Sequence, residues 1–128
     1  MECVGCGEHL IVLELERVEV DHCVVCGGVW LDQGEIGLLI GDPKGGERLV
    51  SSFEKDTGPG KLRKCPICSK KMEKVLCGTT GKVQIDRCMR SDGLWFDLGE
   101  LEQIFKSSTF GGHSKVSDWL RNVFVKEN

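Results

Sequence analysis

Residues 20–36, VDHCVVCGGVWLDQGEI, decide how this chain folds. Cys23 and Cys26 are separated by two residues, the spacing at which a tight turn lets both sulfurs reach one ion. Gly27 follows at a point where backbone commonly needs positive φ and a close approach to sulfur. Upstream, Cys3-x-x-Cys6-Gly7 has the same form. The stretch between the two knuckles, LIVLELERVEVD at 10–21, alternates and is rich in β-branched residues, which predicts a β-hairpin. Downstream, Trp30, Leu31 and Asp32 lead into a short helix. Asp32 and Glu35, three apart, fit a capping box at its start.

The same layout recurs. Cys65-x-x-Cys68 is followed by a predicted hairpin around Gly78-Thr79-Thr80-Gly81, with Val83 and Ile85 on its second strand. Residues 85–101 then read IDRCMRSDGLWFDLGEL. Asp21, Trp30, Asp32, Gly34 and Glu35 match Asp86, Trp95, Asp97, Gly99 and Glu100. A repeat of this clarity has to be read before any single element. Asp97 and Glu100 fit a second capping box; a functional acidic pair is the other reading at both places.

Each copy spans about 40 residues, below the size at which burial alone supports a fold. Such units need disulfides or a metal. The chain opens with no charged and apolar leader, and no apolar run approaches the ~18 residues of a membrane span. A cytoplasmic, reducing setting is therefore expected. There, paired Cys-x-x-Cys knuckles are metal sites rather than a disulfide framework.

Cys3, Cys6, Cys23 and Cys26 are expected to bind Zn²⁺ as a closed tetrahedral site. It has no open position for catalysis, and metal binding supplies on the order of 10 kcal/mol toward folding. His9 and His22 are not needed and are expected at the surface. The second copy offers Cys65, Cys68 and Cys88, but Ser91 stands where the fourth cysteine belongs. Ser91, Asp92, water, Cys77 and His113 are candidates for the fourth place, and a metal-free second unit is a further alternative. Cys77 sits at the hairpin's turn end, far along the strand from the knuckles, and is expected to be a strand residue.

Charge divides the copies. Residues 1–40 hold eight acidic side chains against Arg17 alone, a net −7, whereas residues 61–91 are net +7. Lys61, Arg63, Lys64, Lys70, Lys71, Lys74, Arg87 and Arg90 are candidate phosphate-binding residues on that basis. The whole chain is nonetheless at −3, and dedicated nucleic-acid binders are usually basic.

The pattern CxxCG…VDxCxxCGGVWLDxGE resembles the TFIIB-type zinc ribbons. The resemblance rests on Cys3, Cys6, Gly7, Val20, Asp21, Cys23, Cys26, Gly27, Gly28, Val29, Trp30, Leu31, Asp32, Gly34 and Glu35, and in the second copy on Cys65, Cys68, Asp86, Cys88, Gly93, Trp95, Asp97, Gly99, Glu100 and Leu101. The second copy departs at Ser69 and Ser91. The resemblance implies knuckles, a hairpin and a short helix around zinc, and ties the chain to transcription by name only.

The expected architecture is thus small, metal-bound and β-rich: zinc ribbon 1 at 1–40, a glycine-rich linker at 41–60, a degenerate ribbon 2 at 61–106, and a loop with a C-terminal amphipathic helix at 107–128. Val116, Trp119, Leu120, Val123 and Phe124 recur at helical spacing in that tail, so residues 115–126 are a possible homodimer contact. The function expected is that of a non-enzymatic, zinc-binding adaptor for a protein partner. Nucleic-acid binding through the second ribbon, or metal and redox sensing at its incomplete site, are the alternatives; no membrane role is expected.

Overall fold

The computed structural model describes residues 1–15, 18–32, 34–40, 43–58, 60–77, 83–90, 92–100 and 103–104. The expected tail helix, His113 and Ser91 lie outside the described residues.

In the first copy, strands β1 (Ile11–Leu15) and β2 (Val18–His22) form the expected hairpin, with Leu13 opposite Val20. β5 (Glu73–Cys77) and β6 (Val83–Arg87) form the second, with Val75 opposite Ile85. Each ribbon also has a third strand: β3 (Val29–Asp32) beside β2, and β7 (Gly93–Phe96) beside β6. β3 and β7 then pair antiparallel with each other, Trp30 facing Trp95 and Val29 facing Phe96. The seven strands of the described residues make one sheet, in the order β1-β2-β3-β7-β6-β5-β4. The two copies, expected as units strung on a linker, share a continuous ladder.

Within 41–60, the described residues are also more ordered than the glycines suggest. It carries helix α2 (Pro43–Ser51) and the short strand β4 (Glu54–Lys55), which adds to the edge of β5 opposite Val75 and Leu76. Pro43 opens α2, where a fixed φ suits the first helical turn and its missing N–H costs nothing. Helix α1 (Glu35–Ile40) follows β3 as expected and packs beside α2. The matching turn of copy 2 starts the same way: Gln103 N–H donates to the Gly99 carbonyl as Leu38 N–H does to that of Gly34.

Strand alternation gives the sheet two differently furnished faces. Val20, Val29, Leu31, Val75, Ile85, Leu94 and Phe96 build an aliphatic core with Ile36 and Ile104. The opposite face holds Trp30, Trp95, Met72 and the buried cysteines Cys3, Cys23, Cys65 and Cys88. The metal sites are therefore walls of a second core, and the tryptophans fill the space between them.

His22 is a correction: it is buried, not at the surface, and its Nδ1 lies 3.1 Å from the Gly28 carbonyl oxygen. Its place at the end of β2, beside Val29 of β3, turns the ring inward. His9 is exposed as expected.

Candidate metal centres

The first knuckle closes where Gly7 N–H donates to the Cys3 carbonyl at 3.0 Å, and the second where Gly27 N–H donates to that of Cys23 at 2.8 Å. Both glycines have positive φ, 82° and 83°. The turns aim backbone amides at sulfur: Gly5 N–H and Cys6 N–H lie 3.3 and 3.4 Å from Cys3 Sγ, and Cys26 N–H lies 3.4 Å from Cys23 Sγ. Such donors favour the thiolate.

The hairpin brings the knuckles together. Cys3 Sγ is 3.3 Å from Cys26 Sγ, and Cys6 Sγ is 3.5 Å from Cys23 Sγ. All four ligand atoms fall within 4.8 Å of one another. A disulfide needs sulfurs at about 2.05 Å, and every cysteine here is free. Four sulfurs at ~2.3 Å from a zinc ion would be separated by about 3.8 Å, close to the spacing observed. Burial, with the neighbouring Cys3 and Cys23 thiols adding to it, pushes the Cys26 thiol up to about 12, although the Gly28 amide hydrogen bond acts against the rise. Cys23 is also pushed up by burial, but the Cys26 and Val25 amides and the neighbouring thiols bring it down to about 7. Thiols crowded this way ionise together only around a cation. The set fits Zn²⁺.

The second site repeats the first with one substitution. Ile67 N–H and Arg90 N–H each lie 3.4 Å from a knuckle sulfur, Cys65 Sγ and Cys88 Sγ respectively. Cys68 Sγ is 3.7 Å from Cys88 Sγ. Asp92 Oδ2 stands 3.3 Å from Cys88 Sγ and 3.7 Å from Cys65 Sγ. A sulfur–oxygen edge of a zinc tetrahedron is ~3.5 Å, so Asp92 completes the set Cys65, Cys68, Cys88 and Asp92. The carboxylate replaces a thiolate from one residue further along the chain, at the position of Gly27. Its pKa is held down, chiefly by the Cys88 thiol beside it.

Cys77 does not take part. It ends β5, is buried in the aliphatic core on the other face, and burial pushes its thiol up to about 12.

Three of the eight candidate phosphate-binding cations are engaged inside the protein. Arg63 bonds to both Asp86 and Asp97, with Nη1 2.9 Å from Asp97 Oδ1, and Lys74 Nζ lies 2.6 Å from Asp86 Oδ1. Arg87 pairs with Glu73 at 3.5 Å and lies over the Phe53 ring. Lys61, Lys64, Lys70, Lys71 and Arg90 are exposed.

The expected capping boxes form by half. Glu35 Oε1 accepts the Asp32 N–H at 2.6 Å, and Glu100 Oε1 the Asp97 N–H at 2.7 Å. The aspartates instead accept the indole N–H of Trp30 and of Trp95, each at 2.9 Å. In copy 1 these carboxylates crowd one another. Burial, then repulsion from Asp32, raises the Asp21 pKa. The Met1 ammonium opposes that rise and Glu19 adds to it. Glu35 is pushed up to about 7, first by burial and then by Asp32, Asp21 and Glu19, against the pull of its hydrogen bond.

Paired knuckles on a hairpin around a four-donor site, twice over, define a tandem zinc ribbon. The chain belongs to the transcription factor zinc-finger family of TFIIB-type zinc ribbons, whose model matches residues 2–40 and 64–107. No curated protein and no solved structure matches it. It is a zinc-binding protein with two sites among the described residues, and no described helix is long and apolar enough to cross a membrane.

Proposed function

We propose that the protein is a non-enzymatic adaptor whose zinc ions hold an apolar surface rigid for a protein partner. The observation that carries this is the apolar exposure at the knuckle tips. Val24 and Val25 are 63% and 67% exposed, and Ile67 and Met89 are 49% and 58% exposed. Each sits between ligands or beside one, so the metal fixes its position. Met89 also borders a cleft of about 710 Å³ lined by Ile36, Leu38, Val50 and Leu94 between the helices and β7. Apolar side chains held this way mark interaction surfaces. Both donor sets supply four protein ligands, which argues against a metal-bound substrate. The family's description supports a partner from transcription.

Nucleic-acid binding remains the second reading, favoured by the five exposed cations Lys61, Lys64, Lys70, Lys71 and Arg90 around the second site. Redox sensing draws no support from Cys77, whose thiol is buried and hard to ionise.

The test is reconstitution with purified components. A protein isolated with the zinc-loaded chain is expected to bind it in calorimetry, and Val24→Asp or Met89→Asp to weaken that binding while both zinc ions stay. No zinc-dependent protein complex, together with a salt-dependent anisotropy change on an oligonucleotide, would favour the second reading instead.

A further inference from the structure

The two copies treat one pair of carboxylates differently. In copy 2, Asp86 on β6 and Asp97 after β7 are bridged by the Arg63 guanidinium, and Lys74 on β5 adds a second cation to Asp86. In copy 1 the equivalent pair is Asp21 and Asp32. The backbone is superposable in its bonding. Leu10 N–H donates to the Met1 carbonyl at 2.9 Å, as Met72 N–H does to the Arg63 carbonyl at 2.8 Å. Asp21 is opposite Trp30 as Asp86 is opposite Trp95, and each indole N–H bonds to the aspartate two residues on. Only the side-chain cations are missing from the sequence: Met1 stands at the position of Arg63, and Val12, opposite Asp21, at that of Lys74, while the Met1 ammonium acts on Asp21 through space without forming an ion pair. Among the described residues, no ion pair engages Asp21 or Asp32.

We infer that Asp21 and Asp32 receive an arginine side chain from the partner protein, which docks on copy 1 as Arg63 docks on copy 2. The second copy shows the ligand chemistry directly: a planar guanidinium spanning two carboxylates, one of them held by a tryptophan indole. A bidentate fork suits that geometry and an ammonium does not. The antiparallel pairing of β3 with β7, Trp30 opposite Trp95, relates the copies by a local twofold axis, and that symmetry adds a neighbour. Arg63 lies beside Gly5 of the opposite copy's first knuckle, so the incoming arginine lies beside Ile67, half exposed at the matching knuckle. The partner segment is thus an arginine flanked by an apolar residue.

This inference rests on the adaptor reading, but it is tested separately. The probe is N-acetyl-arginine amide, titrated at low salt into the intact, zinc-loaded chain while the tryptophan indole N–H signals are followed by NMR. The Trp30 signal is expected to move and saturate, and the Trp95 signal to stay, because Arg63 already holds Asp97. Asp21→Asn is expected to weaken the effect at least about tenfold. Val12→Lys, at an exposed site that leaves folding intact, supplies the missing cation and is expected to weaken it similarly. N-acetyl-lysine amide is expected to bind more weakly than the arginine probe. An unmoved Trp30 signal, equal movement of both indoles, or unchanged binding in both variants overturns the inference. A zinc-dependent protein complex that survives Asp21→Asn and Val12→Lys removes this docking point and leaves the adaptor reading standing.

Discussion

Trp30 and Trp95 face each other across the central strand pair, and they are the same position of the repeat. A local twofold axis therefore passes between them. The consequence is reciprocal packing. A Cβ on Gly28 would lie 2.1 Å from the Trp95 ring, and one on Gly93 would lie 2.6 Å from the Trp30 ring. Each copy leaves a glycine where the other copy's indole must sit, which ties the two ribbons into one body.

Gly28→Ala is accordingly expected to destabilise the zinc-loaded protein by about 2 kcal/mol or more, since an aromatic ring in a packed core cannot retreat without strain. Thermal unfolding followed by near-ultraviolet circular dichroism checks this. The loss should appear in a single transition, because both ribbons feel it. Two transitions, with only one displaced, would show that the copies unfold independently.

The metal sites were legible in the sequence because ligand spacing is a local property. The joining of the copies was not. Val29–Asp32 and Gly93–Phe96 are four-residue runs, three residues of the first and all of the second buried, and periodicity cannot tell a short buried strand from a helix start. Seven glycines and prolines within residues 41–60 suggested a linker, yet Pro43 at the first turn is compatible with α2 and tertiary packing overrides the cost of the glycines inside it. Arg63 looked available for phosphate because its partners Asp86 and Asp97 are distant in sequence. Asp92 was one of several candidates. Spacing alone could not choose it, because the ligand position shifts by one residue.

Ser69 holds φ of 64°, at the place where the first copy has Gly7 at 82°. A side chain in that region costs about 1 kcal/mol, and Ser69→Gly is expected to recover about that much. Urea denaturation of the zinc-loaded protein measures it. The converse Gly7→Ser should cost a similar amount, with nothing near its Cβ to add a clash.

The two ions should leave separately. A site of three thiolates and one carboxylate is harder than one of four thiolates, and zinc prefers the softer set. Native mass spectrometry is expected to find two ions per chain, with a chelator removing the second site's ion first. Asp92→Ala should reduce the count to one under mild competition while Cys3, Cys6, Cys23 and Cys26 keep theirs. Two ions retained equally in that variant would give the fourth place to another ligand.

Glu35 sets a pH dependence. Its folded-state pKa, about 7, lies above the ordinary 4.5, with burial the leading cause. The folded state thus binds this proton more tightly than the unfolded chain. The contribution to stability is full below the unfolded value and declines as pH rises toward 7. Glu35→Gln keeps an acceptor for the Asp32 N–H and removes the charge. Its advantage over the parent should grow from pH 6 to pH 8, reaching on the order of 1 kcal/mol after allowance for solvent screening of a partly exposed group. A difference that stays constant across this range would mean that Glu35 titrates normally.

Equivalent carboxylates should answer differently to the same substitution. Asp86 is 1% exposed and accepts from both Arg63 and Lys74. Asp86→Asn leaves two cations short of a buried partner, and a loss of about 2–3 kcal/mol is expected. Asp21 is half-buried and faces Asp32 and Glu19, the Met1 ammonium offsets them only in part, and no ion pair forms among the described residues, so Asp21→Asn on balance relieves burial cost and repulsion. Its effect should be within about 0.5 kcal/mol of zero or slightly stabilising. Denaturant titrations of the two variants at the same pH and zinc loading compare them directly. If Asp21→Asn were as costly as Asp86→Asn, copy 1 would already hold a cation of its own at this position, and no partner arginine would be needed there.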